Sequence, residues 1–150
     1  MKIHYLPIYL LLVALPVSYY LGYTPLLLGL IYVLLSLVTY IAYAKDKAAA
    51  RKDEWRVPEK TLQLLALFGG WPGAIVAQQH LRHKTKKVSF RLVFYITLVA
   101  NVAAFAGLHS QQGASILRTA LNTAEQGLIS LLGKSNITNV LFLIEIRSSI

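Results

Sequence analysis

The sequence predicts an all-α, polytopic membrane protein. It should have about three transmembrane helices, a Gly/Pro-broken helical pair and a C-terminal amphipathic segment. Three observations carry this. No residue from Tyr5 to Ala44 is charged. Apolar residues make up 56% of the chain and charged residues 14%, against about 45–50% and about 25% in soluble domains. The net charge is +9, and most of it lies in one segment. Such hydrophobicity excludes intrinsic disorder. The lack of cysteine excludes disulfides, thiolate metal sites and cysteine nucleophiles.

A span needs about 20 mostly apolar residues, and Tyr5–Ala44 is twice that. Gly22, Tyr23, Thr24 and Pro25 interrupt it, so it reads as two helices, Tyr5–Leu21 and Pro25–Ala44. Pro25 and Pro7 suit first turns, where a missing N–H loses nothing. Pro16 should kink the first helix. Tyrosines cluster at the helix ends, as amphipathic rings do at headgroup level. Lys2 could start a signal peptide, but no small-x-small cleavage site follows, so the first helix is expected to stay. A third span fits Leu92–His109. Residues 1–109 thus form the membrane domain.

Eleven of the fifteen lysines and arginines lie between 45 and 91, in two clusters that flank an uncharged stretch, Thr61–Gln79. Basic short loops stay in the cytoplasm. Both clusters and the amino terminus are therefore expected inside, with the 22–24 turn outside. Thr61–Gln79 is broken by Gly69-Gly70-Trp71-Pro72-Gly73. Pro58 and Glu59 open a helix that ends at Gly69, and Pro72 opens another running to about Arg82. Each half is about 15 Å long at 1.5 Å per residue, half the hydrocarbon thickness. A re-entrant or interface-lying pair is expected, and a fourth span is the competing reading. Gly69 and Gly70 are expected at positive φ. Gly69, Gly73 and Ala77 have small-xxx-small spacing, which would also allow homo-oligomers, although Pro72 inside it favours a bend. Residues 110–150 form a tail of helical periodicity, expected as an amphipathic helix on the non-cytoplasmic surface.

The basic loop offers two blocks that the Gly-rich bend can bring together. Arg82, His83, Lys84 and Thr85 supply charges, an imidazole and a hydroxyl in consecutive positions, with Lys87 behind and Arg56 in the other block. Guanidinium groups grip phosphate with two prongs and lysine adds a point charge. These six residues are the candidate anion site. The plainer reading is a topology signal that also attracts acidic headgroups. Membrane lipids, above all anionic ones, are the expected partner. Trp55 could stack a base, but a bilayer-interface role is commoner, so nucleic acid is the weaker expectation. Asp46 and Glu59 read as ion-pair carboxylates amid bases. His83 and Glu59 are the acid/base candidates if the chain is a small enzyme acting on a lipid or polyprenyl substrate. His80 and His83 lack a third ligand, so neither metal nor cofactor is expected.

One string ties these parts together. Asp46-Lys47-x3-Arg51-x3-Trp55-Arg56-x-Pro58-Glu59-x2-Leu62 comes first. Gly69-Gly70-x2-Gly73-Ala74 follows, and then Arg82-His83-Lys84-Thr85-x-Lys87-x2-Phe90. Over residues 40–95 the chain resembles the bacterial membrane family called domain of unknown function 1294. The resemblance implies a small multi-pass protein of the bacterial inner membrane, with Asp46, Lys47, Trp55, Pro58, Glu59, Gly69, Gly70, Gly73 and Phe90 as structural motif residues. The family's activity is not established. Some relatives carry a cold-shock, nucleic-acid-binding domain in front of this unit, which these 150 residues lack.

Overall fold

The structure is a computed structural model, and it describes residues 3–85 and 87–132. Lys2, Lys86 and residues 133–150 lie outside the described residues. So does the end of the tail expected as an amphipathic helix.

Among the described residues the chain is all helical, with no strand. A 3₁₀ turn at Ile3–Tyr5 leads into α1, Leu6–Tyr20. Then come α2, Leu26–Lys52, and α3, Glu59–Leu65. A π-helical turn at Ala66–Gly70 joins α3 to α4, Trp71–Leu81. The last two are α5, Val88–Gly107, and α6, Gln111–Leu132. Helices α2 and α5 are long and apolar enough to cross a membrane. With 15 residues α1 is apolar but short.

Two helix boundaries differ from expectation. α2 continues eight residues past Ala44, because Lys45–Lys52 holds three alanines, three lysines and an arginine, which are good helix formers. It ends with Asp53 at φ 53° and the Glu54 amide donating to the Ala49 carbonyl at 3.1 Å, a left-handed C-terminal closure. α5 starts at Val88 and not at Leu92, so its first turn carries Ser89 and Arg91.

The chain forms two compact units. The first comprises Met1–Leu10 and Ile31–Ala103. Its core is Tyr32, Tyr43, Leu62, Ala66, Trp71, Ala74, Ala77, Phe90 and Phe94, with Thr39, Asp46, Gln78 and Thr97 also buried. Here α3, the π turn and α4 form a hairpin against α2 and α5. The bend sits deep. A Cβ on Gly70 would overlap Thr39 Oγ1, and one on Gly73 would overlap the Ser36 backbone. The two ends return to one level. Lys47 Nζ near the end of α2 donates to the Leu81 carbonyl at the end of α4, at 2.6 Å. Gln63 Nε2 on α3 donates to the Phe90 carbonyl in the first turn of α5, at 3.0 Å.

The expectation for the glycines is half corrected. Gly69 has φ 115°, but Gly70 has φ −79°. Only Gly69 supplies positive φ. Gly70 and Gly73 are glycine because the Thr39 hydroxyl and the Ser36 backbone, respectively, approach too closely for a side chain. Gly69 makes the bend, and of the small-xxx-small glycines Gly73 makes the close helix approach. The bend is held by Asn101 of α5. Its Nδ2 donates to the Leu67 carbonyl at 2.6 Å, and its Oδ1 accepts from Trp71 Nε1 at 3.1 Å and from the Tyr32 hydroxyl.

The second unit comprises Leu11–Leu30 and Ala104–Ile150. Gly22, at φ 75°, closes α1, with the Tyr23 amide on the Ser18 carbonyl at 3.0 Å and the Gly22 amide on the Tyr19 carbonyl at 3.1 Å. This is the paired closure that glycine permits. Thr24 Oγ1 donates to buried Ser18 Oγ at 2.9 Å, and Ser18 Oγ lies 2.9 Å from His109 Nε2. In α6 the half-buried residues Ala114, Leu117, Leu121, Glu125 and Leu128 recur at helical spacing on one face.

Candidate anion-binding site

The hairpin brings both polar blocks of the basic segment together. All six residues expected to bind an anion, Arg56, Arg82, His83, Lys84, Thr85 and Lys87, line one cavity of about 370 Å³, and Glu59 completes the lining. Arg56 comes from the α2–α3 connection and Glu59 from the first residue of α3. The other five come from the segment between α4 and α5. Two of them have left-handed backbone: Arg82 has φ 49° and Lys84 φ 61°. A non-glycine residue in that region costs on the order of 1–3 kcal/mol and persists only where surroundings hold it. The strain turns the chain sharply on either side of His83, so that consecutive side chains line one space.

Asp46 holds the floor. It is fully buried on the last turns of α2. Its Oδ2 meets His83 Nε2 at 2.7 Å and Lys84 Nζ at 3.4 Å, and its Oδ1 meets Arg56 Nε at 3.4 Å. An ionised carboxylate only accepts, so His83 Nε2 carries the proton in that bond. Glu59 is held on the other side, with Oε1 2.9 Å from Lys84 Nζ and Oε2 2.7 Å from Lys87 Nζ. Hydrogen bonds from Lys87 and then Lys84 keep the Glu59 carboxyl below its ordinary range. Lys84 therefore bridges both carboxylates, with its ammonium 5.7 Å from the centre of the Phe90 ring. Arg56, Arg82, Lys84 and Lys87 stand against two carboxylates, so the cavity stays positive. Among the described residues Arg82 enters no ion pair.

The motif residues fall into place around this site. Pro58 caps α3 and Phe90 packs edge-on against Tyr43. Trp55 is 93% exposed and does not line the cavity. His80 pairs with the Tyr40 hydroxyl through Nδ1 at 2.7 Å, whereas His83 turns to Asp46. The two histidines therefore turn to different partners. Among the described residues no three His, Asp or Glu side chains gather as metal ligands. Asn101 and Tyr32, which fasten the bend, were not singled out in the sequence. The available signal was one asparagine inside an otherwise apolar span.

Residues 36–90 match the family described as Protein of unknown function (DUF1294). Over 78 residues the chain is 33% identical to the uncharacterized protein YsdA of Bacillus subtilis (strain 168), covering 52% of this chain and 88% of YsdA. The chain belongs to the DUF1294 family. The matched DUF1294 segment begins in α2 beside the bend and ends at Phe90. It therefore includes the whole hairpin, both carboxylates and every residue that lines the cavity, while α1 and α6 lie outside it. No solved structure matches the chain.

Proposed function

We propose that this DUF1294 protein is a multi-pass protein of the bacterial inner membrane whose cytoplasmic basic pocket binds the phosphate of anionic lipid headgroups. The observation that carries this is the convergence of six side chains suited to an anion, from two distant segments, on one positive cavity. Membrane insertion is supported by an inverted distribution of polarity. Val33, Leu34, Leu37, Leu92, Ile96 and Val99 are exposed, while Thr39, Asp46, Gln78 and Thr97 are buried. Soluble domains bury the former kind and expose the latter, whereas intramembrane polar groups face the protein interior.

In this reading α1 with its 3₁₀ turn, α2 and α5 cross the bilayer. The amino terminus is cytoplasmic, and α6 lies on the outer surface. The α3–α4 hairpin re-enters from the cytoplasmic side. Its broken backbone at Gly69 is shielded by α2 and Asn101, as the hydrocarbon region demands. Exposed Trp55 then sits at the interface.

Vesicle co-sedimentation with phosphatidylglycerol tests the pocket. Binding should weaken as salt rises, since exposed charges are screened beyond about 8 Å at physiological ionic strength. Arg82→Gln and Arg56→Gln should lose more affinity than Lys52→Gln or Arg118→Gln. Loss that tracks only the number of charges removed, wherever they lie, would leave a topological basic patch and no site.

A second reading rests on the Asp46–His83 bond, which is the pattern of a base oriented by a carboxylate. It makes the chain a small enzyme using His83 for acid–base chemistry on a lipid phosphate. His83→Lys keeps charge without that chemistry. Full function in His83→Lys supports binding alone, whereas loss in both His83→Lys and His83→Gln supports catalysis.

A further inference from the structure

A second cavity of about 540 Å³ lies between α3 and α5. Leu64, Leu67, Phe90 and Val93 give it apolar walls. Glu59 lines it as well as the basic cavity, so the two adjoin at the start of α3. Phe90 forms one wall of the groove while its ring carries the Lys84 ammonium. Gln63 also lines the groove. Its Nε2 is tied to the Phe90 carbonyl, but its Oε1 is buried with no hydrogen-bond partner. A buried acceptor without a donor is unfavourable, and a donor hydroxyl, such as those of a glycerol headgroup, would satisfy it.

We propose that the pocket and the groove together form one lipid site, with the phosphate in the basic cavity and one acyl chain in the α3–α5 groove. The inference rests on the headgroup reading above and adds the substrate class: a membrane phospholipid, not a soluble phosphate. Charge and shape agree on this. A free phosphate or nucleotide would fill the basic cavity and leave an adjoining apolar groove unused. A phospholipid places a phosphate and a hydrocarbon chain side by side, in the same order as the two cavities.

The test uses the full chain in a neutral detergent. Native mass spectrometry reads retention of dioleoyl phosphatidylglycerol, with dioleoyl phosphatidylcholine as the zwitterionic comparison. Calorimetry with glycerol 3-phosphate reads the headgroup site alone. Wild type should retain one phosphatidylglycerol in preference to phosphatidylcholine. Leu64→Trp and Val93→Trp should lower that retention by about tenfold or more, the loss expected when two methylenes fail to bury. Their binding of glycerol 3-phosphate should stay at the wild-type level, which also shows that the variants are folded. Arg82→Gln should lose both ligands. Unchanged phosphatidylglycerol retention in both tryptophan variants would overturn the groove and leave the headgroup site standing. Failure of wild type to bind either probe would overturn the basic pocket and the groove with it. A series of phosphatidylglycerols from dihexanoyl to dioleoyl on wild type needs no variant. Affinity for the pocket should rise with chain length, and a flat series would equally defeat the groove.

Discussion

His83 Nε2 and Asp46 Oδ2 meet at 2.7 Å, across 37 residues of sequence. The bond ties the end of α2 to the turn after α4, and Asp46 is fully buried while it also serves Lys84 and Arg56. Removing one partner of a buried ion pair leaves the other charge uncompensated, at about 3–5 kcal/mol. Asp46→Ala should therefore cost about 3 kcal/mol or more in denaturant unfolding in micelles, the discount from the upper value reflecting half-exposed Arg56. Asp46→Asn should cost less, since an amide oxygen still accepts. A stability loss no greater than that of an exposed control such as Glu54→Ala would show that the carboxylate does not organise the site.

The return of α3 and α4 to one level predicts a topology. Single cysteines at Glu54 and Val88, both exposed, stand on either side of the hairpin. On intact cells an impermeant thiol reagent should label neither, while both react once the membrane is opened. Labelling of one but not the other would convert residues 61–79 into a crossing span and place the two halves of the basic cavity on opposite faces.

The tight approach of α4 to α2 makes Gly73 far less tolerant than Gly29. A methyl on Gly73 overlaps the Ser36 backbone, whereas a Cβ on Gly29 meets nothing within 4 Å. Overpacking ordinarily costs about 1–3 kcal/mol, and more where backbone must move. Gly73→Ala should lose at least that, seen as reduced folded protein in the membrane and a lowered unfolding midpoint. Gly29→Ala should accumulate normally. The same contrast holds for Gly70→Val against Gly29→Val. Equal behaviour of the pairs would mean that α4 does not pack on residues 35–39.

These glycines show how much was legible in the sequence. The bend was, because Gly-Gly-x-Pro-Gly interrupts an uncharged run. The grouping of these side chains around one cavity was too, because the consecutive residues 82–85 needed only a fold-back to meet Arg56. What sequence could not supply was the identity of the touching partners. Gly70 was read as a positive-φ residue, but the reason it is glycine is a hydroxyl on another helix, 31 positions away. Hydropathy stops at Ala44 while helix propensity does not, so a boundary set by hydropathy falls short of the observed end of α2 at Lys52. That extension is what places Asp46 and Lys47 on a rigid element under the cavity. Asp46 read as one ion-pair carboxylate among bases. Its role as the shared partner of His83, Lys84 and Arg56 depends on long-range contacts that spacing does not reveal.

Asn101 is the bend's fastener from the α5 side. Replacing it with leucine strands the Leu67 carbonyl, the Trp71 indole N–H and the Tyr32 hydroxyl together. An unpaired buried polar group costs about 1–3 kcal/mol. Asn101→Leu should thus lose about 2–3 kcal/mol, with tryptophan fluorescence shifting as Trp71 loses its partner. Asn101→Asp keeps the acceptor for Trp71 and Tyr32 but loses the donor to Leu67, and should fall between. Wild-type stability and emission in Asn101→Leu would show that the bend stands without it.

Glu59 gives the site an acid limit. Its carboxyl is held below the ordinary value near 4.5 by Lys87 and Lys84. A depressed carboxyl contributes stability that is complete above the unfolded value and lost as pH falls through the folded one. In the unfolded chain the group takes up its proton near 4.5, and in the folded chain only at lower pH. Between those points acid favours the unfolded chain, and below both the contribution is gone. Glu59→Gln removes the titration. Wild type should therefore unfold at higher temperature than Glu59→Gln at neutral pH, with the gap constant down to about pH 5 and closing below it. Both Glu59 and Lys87 are partly exposed, so high salt should narrow the gap at neutral pH as well. A gap unchanged from pH 7 to pH 3 would show that Glu59 acts through packing and not through its charge on the two lysines.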